Sequence, residues 1–284
     1  MLELSSISDL RSWRRAERQA GRRVGLVPTM GYLHEGHLVL VDEARRRSDS
    51  IALSIFVNPL QFGPGEDLDR YPRDLARDRV LASSRGVDLI FLPEASAMYP
   101  PDFTVRVMPG PIGEQWEGAA RPGHFTGVLT IVAKLFHLVE PDIACFGQKD
   151  IQQLTLVRRM VHDLDWPTEI VMVRTVRESD GLAMSSRNAY LSPADRKRAV
   201  VLSRALQTAH HAFQAGETRP SALEGRMRRV LDRESVVAVE YIAVVDPEML
   251  APVTIAQDTT IVAIAARVGG TRLIDNIVLA EGIT

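Results

Sequence analysis

Residues 28–37 read PTMGYLHEGH, from Pro28 to His37. The segment follows a short apolar run, Val24–Val27, and precedes a helical pattern, His37–Arg47, with apolar residues at Leu38, Val41 and Ala44. That order is strand, turn, helix. Gly31 and Gly36 allow backbone conformations and close approaches that a Cβ would obstruct. His34 and His37 are three apart, a spacing that puts both imidazoles on one side of a first helical turn. The N-terminus of a helix offers unpaired N–H groups and a field that favours anions. The segment therefore reads as a phosphate site with two imidazole donors. A zinc-protease helix would need its histidines four apart with a glutamate between them, which this spacing does not supply.

Outward from this turn, β-rich runs alternate with helical patterns. The strand candidates are Ile51–Val57, Asp88–Leu92, Asp142–Phe146 and Ile170–Val173. Between them lie helix candidates at Asp74–Ser84, Phe125–Val139 and Ile151–Val161. Such alternation predicts βαβ units and a mostly parallel sheet. After about Arg177 the texture changes. Ser192-Pro193 reads as an N-cap followed by proline at the first helical position, and a long helix is expected from there to Gly216. A second helix is expected at Ser221–Leu231, then strands at Val236–Val245, Thr260–Arg267 and Arg272–Val278. The expectation is an α/β domain, residues 1–176, and a smaller C-terminal α+β domain, residues 177–284.

Three further segments carry candidate chemistry. Asn58–Gly63, NPLQFG, follows the strand IALSIFV. Ligands of an open parallel sheet bind beyond the carboxyl ends of its strands, so Asn58 and Gln61 fall where a substrate is read; an Asn-Pro turn with a solvated glutamine is the plainer alternative. Phe146–Gln153, FGQKDIQQ, follows another strand end. Its Lys149 can neutralise phosphate or simply face solvent, and Asp150 can cap the next helix, bind ribose hydroxyls or hold a metal-bound water. Gly181–Leu191, GLAMSSRNAYL, brings hydroxyl and guanidinium donors together at Ser185, Ser186 and Arg187, a phosphate-binding combination and a candidate lid element at the domain junction.

Composition limits the alternatives. The chain has 284 residues, 45% hydrophobic and 25% charged, with 34 Lys and Arg against 36 Asp and Glu. This is the balance of an ordinary globular protein with a sizeable core. A formal net charge of −2 leaves no footprint for sequence-independent nucleic-acid binding. The lone cysteine, Cys145, rules out an intrachain disulfide and reads as a packed small hydrophobe. The opening residues lack the apolar stretch of a secretory signal, and no apolar run reaches membrane-spanning length. A cytoplasmic protein without a nucleic-acid or membrane partner is expected. Arg45–Arg47 and Arg226–Arg229 read as solvated helix faces, and Trp13, Trp116 and Trp166 are too scattered to form a stacking platform.

PTMGYLHEGH with SIFVNPLQF, FGQKDIQQL and MSSRNAYLS, in this order and spacing, resembles the pantoate–β-alanine ligase family over essentially the whole chain. That family belongs to the His-x-Gly-His nucleotidylyltransferases. The resemblance implies a Rossmann-like N-terminal domain, a C-terminal lid domain, a homodimer, and ATP with Mg2+ as the energy source for joining pantoate to β-alanine through a pantoyl-adenylate. By motif it implies ATP contacts from Met30, Gly31, Tyr32, Leu33, His34, Glu35, Gly36 and His37. Further ATP contacts are implied for Gly147, Gln148, Lys149 and Asp150, for Val176, and for Met184, Ser185, Ser186 and Arg187. The implied catalytic set is His34, His37 (the proton donor), Lys149, Ser185, Ser186 and Arg187. Gln61 would touch both pantoate and β-alanine, Gln153 would bind pantoate, and Asn58 and Tyr71 would complete the substrate surroundings. Gln148 stands where many members of the family carry Glu, which puts an acidic contact there in doubt. The runner-up is another nucleotidylyltransferase of the same superfamily that stops after nucleotidyl transfer.

Overall fold

The computed structural model describes residues 1–283. Six parallel strands form the main sheet: β1 (Leu2–Leu4), β2 (Val24–Thr29), β3 (Ser50–Ile55), β4 (Leu89–Phe91), β5 (Ile143–Gly147) and β6 (Glu169–Val173), in the order β1-β4-β3-β2-β5-β6. The strands are nearly continuous apolar runs, as a sheet covered on both faces requires. Helices α1 (Ile7–Gln19) and α2 (Glu35–Arg47) are followed by α3 (Leu75–Ser84) and the single turns α4 (Ala95–Met98) and α5 (Glu117–Ala120). Then come α6 (His124–Val139) and α7 (Ile151–Asp163). One face buries Leu26, Phe91 and Ala144 with Phe125, Leu129 and Phe136 of α6 and Leu154 of α7. The other buries Val27, Leu53 and Cys145 with Val41 and Ala44 of α2 and Ala82 of α3.

The sequence reading passes over β1 and α1, although Ser6 announces the helix by accepting from the Asp9 N–H at 3.1 Å. It also joins two helices into one. The chain forms α8 (Pro193–Arg198), turns at Ala199–Val200, and continues as α9 (Val201–Gln214). No glycine or proline marks the break. α8 buries none of its residues, whereas α9 buries Leu202, Ala205, Leu206 and Ala209, so packing re-aims the chain where propensity would continue it. After α10 (Pro220–Leu231), an antiparallel meander of β7 (Val237–Val245), β8 (Ile261–Val268) and β9 (Thr271–Val278) completes the smaller sheet. α9 and α10 pack against this sheet around Leu206, Leu223, Met227, Val262 and Ile264.

Segments flanking the two sheets are cross-linked. Arg177 makes a bidentate pair with Asp275 at 2.7 and 2.9 Å, and Trp116 Nε1 donates to Leu250 O at 3.0 Å. Arg272 of β9 bonds the Glu117 carboxylate. No helix among the described residues is long and apolar enough to cross a membrane.

Candidate active site

Along the sheet the chain steps from β2 to β3 and β4 on one side, then places β5 and β6 on the other. Ligand crevices of open parallel sheets form at such a reversal, beyond the carboxyl ends of the flanking strands. A cavity of about 220 Å³ lies there. A second, of about 190 Å³, adjoins it beneath β8 and β9. Arg121, His124, Lys149, Asp150, Gln153, Ser185 and Arg187 line both, so the two are halves of one cleft.

The turn after β2 is built from its residues upward. Gly31 has φ 82°, and a Cβ on it would lie 2.9 Å from Ile55 Cγ2. The buried carboxylate of Asp78 on α3 accepts from the Tyr32 and Leu33 N–H groups at 2.8 and 2.7 Å, closing the loop. α2 then starts with His34 as N-cap and His37 in its first turn, their ring centroids 4.0 Å apart. The His34 N–H donates to His37 Nδ1 at 3.3 Å, so a neutral His37 carries its proton on Nε2. Burial, followed by the charge of Lys149, lowers His34 to about 4. Burial, the His34 ring and Lys149 push His37 well below the usual imidazole value. Both rings are therefore neutral N–H donors near pH 7. Gly36 leaves room for the first of them: a Cβ there would meet His34 Cε1 and Nδ1 at 2.9 Å. Among the described residues His34 Nδ1 is buried without a hydrogen-bond partner.

After β3, Asn58 is buried and organises the NPLQF turn. Its Nδ2 donates to Gln61 Oε1 at 3.0 Å and Gly127 O at 3.1 Å, while its Oδ1 accepts from Tyr99 Oη at 2.8 Å. The solvated-turn alternative fails. Gln61 and Tyr71 line the cleft with Met30, Gln153, Val176 and Met184.

After β5, Lys149 reaches into the cleft with its Nζ 3.7 Å from the Asp150 carboxylate. Asp150 does not cap α7 through its side chain, contrary to the sequence reading. The chain runs from a 3-10 turn, Gln148–Asp150, straight into the helix, so Asp150 already lies inside a helical turn. Gln148 also departs from expectation. It is buried away from the cleft, with its Nε2 3.4 Å from Asn276 Oδ1.

The segment beyond β6 is tied to the first turn: Ser186 Oγ donates to Tyr32 O at 3.3 Å. Ser185 Oγ accepts the Arg187 N–H at 3.3 Å. The sequence predicts an open Arg187 fork facing phosphate. Its Nε and Nη2 instead hold Asp67, each at 2.9 Å. Burial opposes its charge, but the Asp67 carboxylate outweighs burial and raises its pKa.

The structure thus brings Met30, His34, Gly36, His37, Gly147, Lys149, Asp150, Ser185, Ser186 and Arg187 around one space. It does not bring there Gly31, Tyr32, Leu33, Glu35 or Gln148. Leu33 is in the core, and Glu35 pairs with Arg85 at 2.7 Å. Sequence reasoning misses Arg121 and His124. His124 Nδ1 bonds Gln61 O at 2.9 Å, and Arg121 Nη1 lies 3.1 Å from His124 Nε2. Arg121 is held in turn by Glu66 at 2.9 and 2.7 Å. Burial, then Arg121, lowers His124 to about 4. The signal available is the Gly-containing loop RPGHF at the start of an apolar helix.

A model of the family described as pantoate-beta-alanine ligase matches residues 3–278. A pantothenate synthetase of Thermoanaerobacter sp. (strain X514) is 49% identical over 283 residues, covering 100% of both chains. One of Roseiflexus sp. (strain RS-1) is 51% identical over 279 residues, covering 98% and 99%. Among solved structures, a pantothenate synthetase of Thermus thermophilus superposes with a TM-score of 0.93 at 49% identity, covering 98% and 99%. A pantoate–β-alanine ligase of Francisella tularensis, complexed with beta-gamma ATP and β-alanine, superposes with 0.81 at 30% identity over 100% of both chains.

Proposed function

The chain belongs to the pantoate–β-alanine ligase family and is an enzyme that joins pantoate to β-alanine with ATP; from that premise we propose how its residues divide the work. The other superfamily reading, a transferase that stops after nucleotidyl transfer, gives way to this kinship over the whole chain. The observation that carries the division of labour is that His34, His37, Lys149 and Arg187, from three separated stretches, line one cleft at the switch point of the sheet.

In the first half-reaction the pantoate carboxylate attacks the α-phosphorus of ATP, giving pantoyl-adenylate and pyrophosphate. The carboxylate is ionised at neutral pH, so no base is needed. The work is to position two anions and to stabilise charge on the phosphate and the leaving group. His37 directs its Nε2–H at the phosphates, and His34 supplies a second neutral donor. Lys149 contributes a full charge. Ser185, Ser186 and the oriented Arg187 close the donor set. Gln61, positioned by Asn58 and His124, reads both acceptor substrates, and Gln153 with Tyr71 completes the pantoate surroundings. Met30, Gly36, Gly147, Val176 and Met184 form walls around the nucleotide. In the second half-reaction the β-alanine amine attacks the acyl carbon and AMP leaves.

The intermediate is an anhydride that water destroys. We propose that residues 1–176 act as the catalytic domain and 177–284 as a lid that excludes solvent. The division is supported by the change from a parallel to an antiparallel sheet on either side of it. Among the described residues no cluster of three or more His, Cys, Asp or Glu is placed to hold a metal ion. The proposal is therefore that Mg2+ enters as the complex with ATP, its ligands mostly phosphate oxygens and water, with Asp150 as the carboxylate at that turn. Bound there, the ion would neutralise phosphate charge. We propose a homodimer, supported by the exposed apolar residues Val105 (78%) and Met108 (73%) on an extended segment outside both sheets. A cytoplasmic location is supported by the single, buried thiol of Cys145.

Rapid-quench analysis of enzyme with ATP and pantoate tests the division of labour. A stoichiometric burst of adenylate, with AMP released only on adding β-alanine, is expected. No adenylate until β-alanine is added, or AMP released in its absence, would refute it.

A further inference from the structure

We propose that Asn276, on the last strand of the small domain, is a positioning residue for ATP activation: it fixes the turn that carries Lys149. The inference rests on the assignment of Lys149 to the ATP site.

Asn276 is 2% exposed and lies in β9, far in sequence from the catalytic turns. Its Nδ2 donates to two main-chain carbonyls in succession, Gln148 O and Lys149 O, each at 2.9 Å. Its Oδ1 faces Gln148 Nε2 at 3.4 Å, which sets the amide the right way round for both donations. An amide has two N–H groups, and here both are spent on adjacent carbonyls of one turn. The Gln148 carbonyl bond is buried and the Lys149 one partly so, beside the cleft, so losing the donor would leave them unpaired and free the turn to rotate. The Lys149 side chain has few polar restraints of its own, its one charged partner among the described residues being Asp150 at 3.7 Å. The direction of the lysine is therefore set mainly by the backbone from which it springs, and that backbone is held by Asn276. Gln148 acquires a purpose in the same arrangement, as the orienter of the asparagine.

The preceding residue strengthens the reading. Asp275 pairs with Arg177 at 2.7 and 2.9 Å, and its Oδ1 also accepts the Asn276 N–H at 2.8 Å. Arg177 in turn bonds Gly181 O at 3.0 Å, at the loop leading into Met184–Arg187. Two consecutive residues of one strand thus grip the two segments whose donors must meet across the triphosphate. A displacement of about 1 Å at such a site is enough to slow a reaction by two orders of magnitude.

The test is a double-mutant cycle on the rate of adenylate formation, with Asn276→Ala, Lys149→Ala and the double variant, each at a temperature well below its own unfolding midpoint. Asn276→Ser, which keeps one donor in the same space, serves as the second variant if the alanine variant does not fold. Asn276→Ala is expected to slow adenylate formation at least ~10-fold in the wild-type background and less than ~2-fold in the Lys149→Ala background, since a residue acting through Lys149 has nothing left to position. The attack of β-alanine on preformed adenylate should be unchanged. Equal losses in both backgrounds would overturn the role of Asn276 while leaving Lys149 in place. A Lys149→Ala variant with wild-type adenylate formation would instead overturn the assignment beneath it, and the inference with it.

Discussion

Asp67 holds Arg187 through two parallel hydrogen bonds of 2.9 Å, from Nε and Nη2 to the two carboxylate oxygens. The carboxylate lies on the loop after the NPLQF turn and the guanidinium beyond β6, so the pair bridges the cleft mouth. Tyr190 Oη adds a third contact to the same carboxylate at 3.3 Å. A fork held on one edge leaves its Nη1 edge for a phosphate, so the carboxylate orients the guanidinium. Asp67→Asn should therefore lower kcat/KM for ATP by about 10-fold, a loss of about 1.4 kcal/mol of transition-state stabilisation. Steady-state kinetics with varied ATP decide it; an unchanged or raised kcat/KM would mean that Asp67 competes with the nucleotide.

Lys149→Ala should slow adenylate formation by about 10²–10³, the usual loss on removing one well-placed donor. Stability should shift by no more than about 1 kcal/mol, because the side chain lines the cleft and is not part of a hydrophobic core. Rapid quench and urea unfolding on the same preparation separate the two effects. A near-wild-type burst would remove Lys149 from the catalytic set.

Gly127 belongs to α6, where a glycine ordinarily weakens the helix. A Cβ on it would lie 2.2 Å from Leu60 O and 2.5 Å from Gln61 N, so the NPLQF turn rests directly on this helix. Gly127→Ala should destabilise the protein by about 1–3 kcal/mol and raise KM for pantoate through displacement of Gln61. Chemical denaturation and pantoate titration check both. A stabilised variant with unaltered KM would contradict the packing argument.

The buried histidines give a pH prediction with a definite sign. An unfolded histidine titrates near 6.5, whereas His34 and His124 titrate at about 4 in the folded chain. Between those values the unfolded chain binds more protons. The stability these rings contribute is thus fully present above about pH 6.5 and is lost as pH falls toward 4. In the free protein the His34 ring resonances should stay constant from pH 8 to about 5.5. A midpoint near 6.5 in an NMR titration would contradict the neutral-donor account of the site.

What the sequence disclosed and what it hid follow from the range of the interactions. The strand–turn–helix from Val24 to Arg47 was legible because its apolar spacing, its glycines and its histidine pair are local signals. The parallel sheet was legible for the same reason. The break between α8 and α9 was not, because packing imposes it on a stretch with no breaker. The donors of the cleft were visible as residue types. The groups that aim them were not: Asp78, Asp67, Arg121 and Asn276 act across gaps of tens to more than a hundred residues and announce nothing where they stand. Gln148 shows the converse. Its position inside a motif points to the nucleotide, yet its side chain faces the small domain.

The central claim is that this cleft makes the innermost phosphorus of ATP open to attack by the pantoate carboxylate. Turnover with pantoate carrying 18O in both carboxylate oxygens, followed by mass spectrometry of the products, tests it most directly. One 18O atom in AMP and none in pyrophosphate is the predicted result. Label in inorganic phosphate or pyrophosphate, with AMP unlabelled, would contradict it.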